Sequence, residues 1–177
     1  MQNQEERQLT LKVNFKIKDV LRYNTDVAKK NIVNDLVLAI GLGVIVFFFY
    51  KMWTTSERMD IYISKNITLL LVPILIFVLI PWRVWQITLS QMQVPAFRHG
   101  VTYAFSKKHI VLNVGEASEE MSWDLFVKIV ETKHDFRFYI NSISAQIIPK
   151  HNLTMEQLGA LKEIIKGAVD RSVYKLR

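Results

Sequence analysis

Two long apolar runs without a charged residue, 36–50 and 67–82, stand close together in a chain that is polar on either side of them. A helix that crosses a bilayer needs about 20 mostly apolar residues, because each residue adds about 1.5 Å and the hydrocarbon layer is about 30 Å thick. The first run reaches that length when Ile32 and Val33 precede it and Lys51 extends its amine to the interface. The pattern therefore predicts transmembrane helices at 32–53 and 67–87, with an external loop at 54–66.

Two alternative explanations of these runs are a pair of buried helices in a soluble core and a cleaved signal sequence followed by one span. Core helices seldom contain stretches as continuously apolar as VIVFFFY or LLLVPILIFVLIP, and a signal peptide begins nearer the N-terminus than the first run does. The second run also ends on Trp-Arg-Val-Trp at 82–85, and such aromatic and cationic side chains suit the headgroup layer. The sequence favours a transmembrane hairpin.

The distribution of Lys and Arg predicts the orientation of the hairpin, because these residues resist transfer across the membrane. Residues 1–31 contain seven of them, and Arg83, Arg98, Lys107 and Lys108 follow the second run, whereas the stretch between the runs contains only Lys51, Arg58 and Lys65. Both termini are therefore predicted to be cytoplasmic, in the inner membrane of a bacterial cell.

The net charge of +7 does not indicate a nucleic-acid partner. The excess of basic residues is spread thinly, at +3 in residues 1–31, +1 in 32–97 and +3 in 98–177. A spread excess next to membrane spans is explained more simply by topology and by attraction to anionic lipids. Membrane lipids are thus the expected partners, with no nucleic acid.

The residue types that carry catalysis or metal binding form no recognisable pattern. The chain has no cysteine, which excludes disulfides, thiol catalysis and cysteine-bound zinc. Its four histidines, at 99, 109, 134 and 151, have no spacing that places two ligands on one helix face. No nucleophile, base or phosphate-binding loop is evident, so we expect neither a cofactor, a metal site nor an enzyme.

The N-terminal segment predicts a strand followed by a helix. Apolar residues alternate with polar ones from Leu9 to Ile17, as in a strand with one solvent-exposed face. Such a strand must pair with a sheet elsewhere in the protein. Asp19 then has the position and chemistry of a helix N-cap. Residues 1–31 are therefore predicted to form a cytoplasmic strand and a juxtamembrane helix.

After Pro95 the sequence predicts a small domain at 98–177 that is rich in short strands. Thr154 and Gln157 have capping-box spacing at the start of a closing helix, whose apolar stripe includes Leu158 and Leu161. The fold class expected is an α+β membrane protein: a two-helix transmembrane hairpin plus a pleckstrin-homology-like (PH-like) antiparallel β-barrel or sandwich closed by the C-terminal helix. The predicted strands are 101–105, 110–114, 121–123, 126–130, 136–140 and 145–148.

The sequence of this domain resembles the YcxB-like proteins of bacteria. The resemblance is carried by Trp123, by Ile-Val-Glu-Thr at 129–132, by Phe-Arg-Phe-Tyr at 136–139, and by Ala-Gln-Ile-Ile-Pro-Lys at 145–150 before Leu153 and Thr154. The family implies a bacterial membrane protein with two spans and a PH-like module, and it implies no established activity or functional residue. The Ser-Lys-Lys-His turn at 106–109 departs from the acidic or glycine-containing turn that is more frequent in similar proteins.

Two groups of residues are candidates for binding. Basic side chains at turns and strand ends are expected to meet anionic headgroups or an acidic partner. Small residues four apart allow close approach of membrane helices, and so predict a homodimer. The first group is Arg98, Lys107, Lys108 and Lys150, and the second is Ala39 and Gly43.

Two functional hypotheses follow from these features. In the first, the protein is a non-catalytic membrane protein whose PH-like domain binds a protein partner or lipid headgroups. In the second, it is an accessory subunit of a membrane transporter, or a small immunity-type membrane protein, and acts through its spans.

Overall fold

The structure, a computed structural model, describes residues 8–177, which form two compact units. One unit contains the chain up to Val20 together with Gln91–Arg177, and the other contains Leu21–Ser90. Arg7, one of the basic residues counted above, lies outside the described residues.

The second unit is built on helices α2 (Ile32–Thr54) and α3 (Met59–Gln91). Asn31 caps α2, because its side chain accepts a hydrogen bond from the Val33 amide. Only residues 55–58 separate the two helices, so most of the range predicted as a loop is helical. Helix α3 continues through Pro73 and Pro81, and its 33 residues span about 50 Å at 1.5 Å per residue.

Close packing joins α2 to α3 near the connecting loop. The rings of Phe48 and Tyr62 lie 5.3 Å apart, and the Tyr62 hydroxyl donates a hydrogen bond to the Phe48 carbonyl at 3.2 Å. Gly41 is buried, and a β-carbon there would lie 3.5 Å from Ile76. A small residue at position 41 therefore lets the two helix backbones approach each other.

Helix α1 (Ile17–Lys29) precedes α2. Asp19 was predicted to be its N-cap but is a residue of the helix itself. The helix begins three residues earlier than expected, at Ile17 instead of Val20, so Asp19 lies in its first turn and is not the N-cap. Its carboxylate accepts a hydrogen bond from the Lys16 amide at 3.0 Å, a side-chain contact typical of the third helical position. Further along α1, Asn24 donates a 3.0 Å hydrogen bond to Thr88 of α3, whose side chain is fully buried.

The first unit contains two four-stranded sheets. In one sheet β1 (Leu9–Val13) lies beside β2 (Val101–Phe105), followed by β3 (His109–Val114) and β4 (Ala117–Ser122), all antiparallel. The strand before α2 therefore pairs with the first strand after α3. The sequence predicts that β1 pairs with a sheet, and the structure identifies β2 as its partner. The second sheet has the order β7-β6-β5-β8, with β5 (Lys128–Glu131), β6 (Asp135–Tyr139), β7 (Ala145–Pro149) and β8 (Tyr174–Lys175).

A single hydrophobic core joins both sheets and helix α5 (Met155–Ala168). Phe105 of the first sheet stacks on Phe138 of the second, with ring centroids 5.9 Å apart. Leu161 and Ile165 of α5 are buried in the same core, and the capping box at Thr154 starts this helix as predicted.

Three features differ from the predicted domain. Within residues 8–177 neither sheet closes into a barrel, so the barrel alternative of the prediction is wrong, although the α+β class is correct. Trp123 begins a 3₁₀ turn instead of ending a strand. The short helix α4 (Pro95–His99) and strand β8 were not predicted, because five-residue and two-residue elements carry too few residues for a periodic pattern.

Candidate functional site

The apolar surfaces of α2 and α3 are largely uncovered in their own unit. Both helices are long and apolar enough to cross a membrane by length and composition, and only 11% of the most apolar 18-residue window of each is buried. Large side chains such as Phe47, Leu75 and Val78 are more than half exposed. In a soluble core most such side chains would be buried.

The predicted small-residue pair lies on the face of α2 that does not contact α3. Ala39 and Gly43 are exposed, and nothing lies within 4 Å of a β-carbon built on Gly43. Gly41, two residues from each, makes the close contact within the hairpin. The pair is thus free for a contact outside this helix pair.

Lys107 and Lys108 extend from a hydrogen-bonded turn between β2 and β3. The buried Ser106 hydroxyl accepts hydrogen bonds from the Lys108 and His109 amides, and its carbonyl accepts a 3.0 Å hydrogen bond from the Trp123 indole. Both lysines are exposed. A β-carbon at Gly167 of α5 would lie 3.5 Å from the Lys107 side chain, so that lysine lies along the end of α5.

The other two basic candidates are placed differently. Arg98 is exposed on α4. Phe97 of the same helix packs against Phe15, with ring centroids 4.8 Å apart. Lys150 is only 19% exposed and forms a 2.6 Å ion pair with Glu131. The structure therefore gives Lys150 a partner within the domain, which leaves it less available for a ligand than Lys107.

Glu131 is the centre of a buried charge cluster that we did not predict. It is 4% exposed at the end of β5, and its carboxylate accepts hydrogen bonds from Lys150 at 2.6 Å and from the Arg177 amide at 2.6 Å. Lys162 of α5 forms a 2.9 Å ion pair with the same carboxylate. The cluster links β5, α5 and the residues after α5.

The cluster changes the acidity of Glu131. Burial opposes ionisation, but hydrogen bonds from Lys150, Lys162 and the Arg177 amide outweigh it and hold the pKa of the Glu131 carboxyl below its usual value. Elsewhere in the domain, burial raises the pKa of the Tyr103 hydroxyl, and the hydrogen bond to Glu163 raises the pKa of Lys166.

Two further ionic contacts hold the domain together. On β6, Arg137 donates a 2.8 Å hydrogen bond to Asp135, and both side chains are buried. His151 lies 2.8 Å from the buried Asp19 carboxylate at the start of α1. Buried charges of this kind are expected to be paired, and these pairs join or brace structural elements.

Among residues 8–177 no group of three or more His, Asp or Glu side chains is arranged to hold a metal ion. Across the same residues, every buried side-chain nitrogen and oxygen atom has a hydrogen-bond partner.

One sequence signal for the Glu131 cluster was available. In a strand, residues two apart share a face, so Glu131 lies on the same face as the buried Ile129. A carboxylate on a core face needs a buried cation nearby. The sequence pattern does not identify that cation, because Lys162 belongs to a helix 31 positions further along the chain.

One comparison with known proteins, that with family models, agrees with the resemblance seen in the sequence. Residues 105–165 match the family model described as YcxB-like protein, which confirms the resemblance over this stretch. The match runs from the last residue of β2 to Ile165 of α5 and includes the Glu131 strand. No curated protein and no solved structure matches the chain.

Proposed function

We propose that the protein is a non-catalytic bacterial inner-membrane protein in which α2 and α3 cross the bilayer. The observation that carries this proposal is the uncovered apolar surface of the two helices, only 11% of whose apolar windows are buried. In water such a surface would cause aggregation, whereas in a bilayer it faces lipid at no cost. The family match over 105–165 is compatible with this role.

We further propose that both termini are cytoplasmic and that the domain with the two sheets is a PH-like module. The orientation is supported by the excess of Lys and Arg outside the loop between the helices. The PH-like assignment is supported by two sheets that contain β1 and the six strands β2 to β7, followed by a helix that packs into their shared core.

Cysteine accessibility tests the insertion and the orientation together, because the natural chain contains no cysteine. Ser56→Cys lies in the loop between α2 and α3, and Ser142→Cys lies in the exposed turn between β6 and β7. An impermeant thiol reagent should label position 56 in intact cells and position 142 only after lysis. Release of the protein by alkaline carbonate would refute membrane insertion, and the reversed labelling pattern would refute the orientation.

We propose that the domain binds a protein partner or lipid headgroups through the exposed basic turn at Lys107 and Lys108. The support is the hydrogen bonding of the turn and the exposure of both side chains. Binding should be lost in Lys107→Glu/Lys108→Glu and kept in Lys128→Glu, a matched exposed lysine on β5.

The measurement is purification of the full-length variants in mild detergent, with mass spectrometry of the proteins and lipids that co-purify. A protein or anionic lipid lost only from the double variant supports the proposal. Equal recovery from all the point variants would refute the role of the basic turn. Recovery from a form that ends at Pro95 would assign the binding to the helices.

One observation favours a second function, in which the protein acts through the spans as an accessory transporter subunit or an immunity-type protein. Ala39 and Gly43 present a small, uncovered face of α2. Replacing the helices by unrelated apolar spans should abolish activity under this alternative and preserve it under the first.

A further inference from the structure

The β2–β3 turn and the β4–β5 loop lie together at one end of the first sheet. His109, the first residue of β3, is opposite Ser122, the last residue of β4. The indole of Trp123, with which the β4–β5 loop begins, donates a 3.0 Å hydrogen bond to the Ser106 carbonyl in the β2–β3 turn. The two connections are therefore neighbours on the surface of the domain.

The β6–β7 turn adjoins the same loop from the second sheet. Tyr139, the last residue of β6, is opposite Ala145 of β7, and its carbonyl accepts a 2.9 Å hydrogen bond from the Val127 amide. The turn that follows is closed by a 2.9 Å hydrogen bond from the Ile140 amide to the Ser144 carbonyl. All three connections thus lie at one end of the domain.

These connections contain most of the exposed large hydrophobic residues of the domain. Between residues 101 and 177 four such residues are exposed, and three of them lie here: Leu125 at 41%, Val127 at 62% and Ile143 at 61%. The fourth is Met155, the first residue of α5. Single exposed hydrophobic residues are ordinary on a protein surface, whereas a group of three in adjoining loops is typical of an interaction site.

The charge in these connections is mainly basic. Lys107 and Lys108 are exposed in the β2–β3 turn, and the β6–β7 turn contains no charged residue. Asp124 is the acidic residue of the β4–β5 loop, and its carboxylate accepts a 3.2 Å hydrogen bond from the Ser122 hydroxyl. The lysines lie beside the exposed apolar side chains. The name loop surface is used below for Lys107, Lys108, Leu125, Val127 and Ile143.

The loop surface lies at the opposite end of the first sheet from the connections to the long helices. Val13 is opposite Val101, and the chain runs toward α2 after Val13 and returns from α3 before Val101. The five residues of β2 separate this pair from the β2–β3 turn by about 17 Å. This placement favours a protein over the bilayer that holds the chain's own helices as the ligand of the loop surface.

We propose that the loop surface binds a segment of another protein that combines large apolar side chains with carboxylates. The apolar side chains of the segment cover Leu125, Val127 and Ile143, and its carboxylates pair with Lys107 and Lys108. This inference rests on the binding function proposed above for the basic turn, and it specifies the chemical class of the partner.

Selection from a random peptide library displayed on phage tests the class of partner. The target is the full-length protein in nanodiscs of zwitterionic lipid, and empty nanodiscs first remove the peptides that bind lipid. We expect the enriched peptides to be rich in Asp, Glu and large apolar residues, because these complement the loop surface. Enrichment of basic peptides, or of no peptide, overturns the proposal.

Surface variants of the full-length protein locate the binding of the enriched peptides. Leu125→Ser/Val127→Ser/Ile143→Ser should weaken it about tenfold or more, because three aliphatic side chains lose their apolar contacts. Met155→Ser is the matched control, since it removes an exposed hydrophobic residue outside the loop surface, and it should leave the affinity unchanged. Wild-type resistance of the variants to limited proteolysis verifies that they are folded.

Failure of this inference is distinguishable from failure of the function proposed for the basic turn. If Lys107→Glu/Lys108→Glu loses the peptides but the triple serine variant binds them as wild type does, the basic turn binds alone and the loop surface is refuted. If both variants bind as wild type does, both proposals fail. Displacement of the peptides by anionic vesicles would also overturn the inference, because a bilayer would then be the ligand.

Discussion

At the scale of single residues, Glu131 is the side chain whose environment depends most on the fold. It is a carboxylate on the core face of β5, and three donors from three other parts of the chain compensate its burial. Neutralising it would leave Lys150 and Lys162 without their shared anion.

We therefore predict that Glu131→Gln destabilises the domain by about 2 kcal/mol, less than for a fully buried pair because both lysines are partly exposed. Chemical unfolding of the full-length protein in detergent measures the effect. Glu163→Gln removes an exposed pair with Lys166 and should change the free energy of unfolding by less than about 0.5 kcal/mol. Equal effects of the two substitutions would show that burial does not strengthen the cluster.

The lowered pKa of Glu131 also predicts a dependence of stability on pH. Because the folded state holds the carboxylate ionised, the unfolded chain takes up a proton first as the pH falls below the ordinary glutamate value of about 4.3. The contribution of Glu131 is thus fully present above that value and is lost as the pH falls through the lower pKa of the folded state. Melting temperatures measured between about pH 3 and pH 7 should converge for wild type and Glu131→Gln at the acidic end. A constant difference across this range would refute the assignment.

At the scale of elements, the packing of α2 against α3 depends on which small residue of α2 faces α3. Sequence spacing identified Ala39 and Gly43, whereas the structure places Gly41 against Ile76 and Phe77. The two sets lie on opposite faces, since two positions along a helix correspond to about 200°.

Gly41→Leu should consequently destabilise the hairpin by about 1–3 kcal/mol, because its added atoms would collide with α3. Gly43→Leu is the matched control, since it extends into open space within the hairpin. Thermal unfolding in detergent, followed by circular dichroism, compares the two. If Gly43→Leu is the more damaging substitution, the observed helix contact is not the one that holds the pair.

At the scale of the whole molecule, two strands that are neighbours in one sheet are separated in the sequence by the two long helices. Strand β1 precedes them and β2 follows them, yet the two strands pair along their full length from Leu9–Phe105 to Val13–Val101. Leu11 and Val13 are buried in the core of the domain. The domain therefore needs residues from both sides of the hairpin.

Deletion of residues 1–18 is accordingly predicted to destabilise the domain enough that protease cleaves within residues 101–165. The physical reason is the loss of the β1 ladder and of two buried aliphatic side chains, each worth about 2 kcal/mol or more. Limited proteolysis of membranes from cells that express each form measures this. Lys12→Ala, at the solvent-exposed position between Leu11 and Val13, is the control and should keep wild-type resistance. Unchanged resistance after the deletion would show that β1 is dispensable.

The sequence by itself determined the features that depend on local periodicity. Continuous apolarity located α2 and α3, alternation located β1 and most strands of the domain, and the Thr154 and Gln157 spacing located α5. These signals are local because a helix or strand buries a repeating face. The family resemblance was also readable, since its residues lie within the matched 105–165.

The tertiary structure alone decided what depends on residues far apart in sequence. It determined that two sheets share a core without closing into a barrel, because closure depends on register and twist across strands. It also paired Glu131 with Lys162 and Arg177, and Asp19 with His151, across separations of up to 132 positions. No local pattern encodes such partners, because a buried charge requires only that a compensating charge be near it in space.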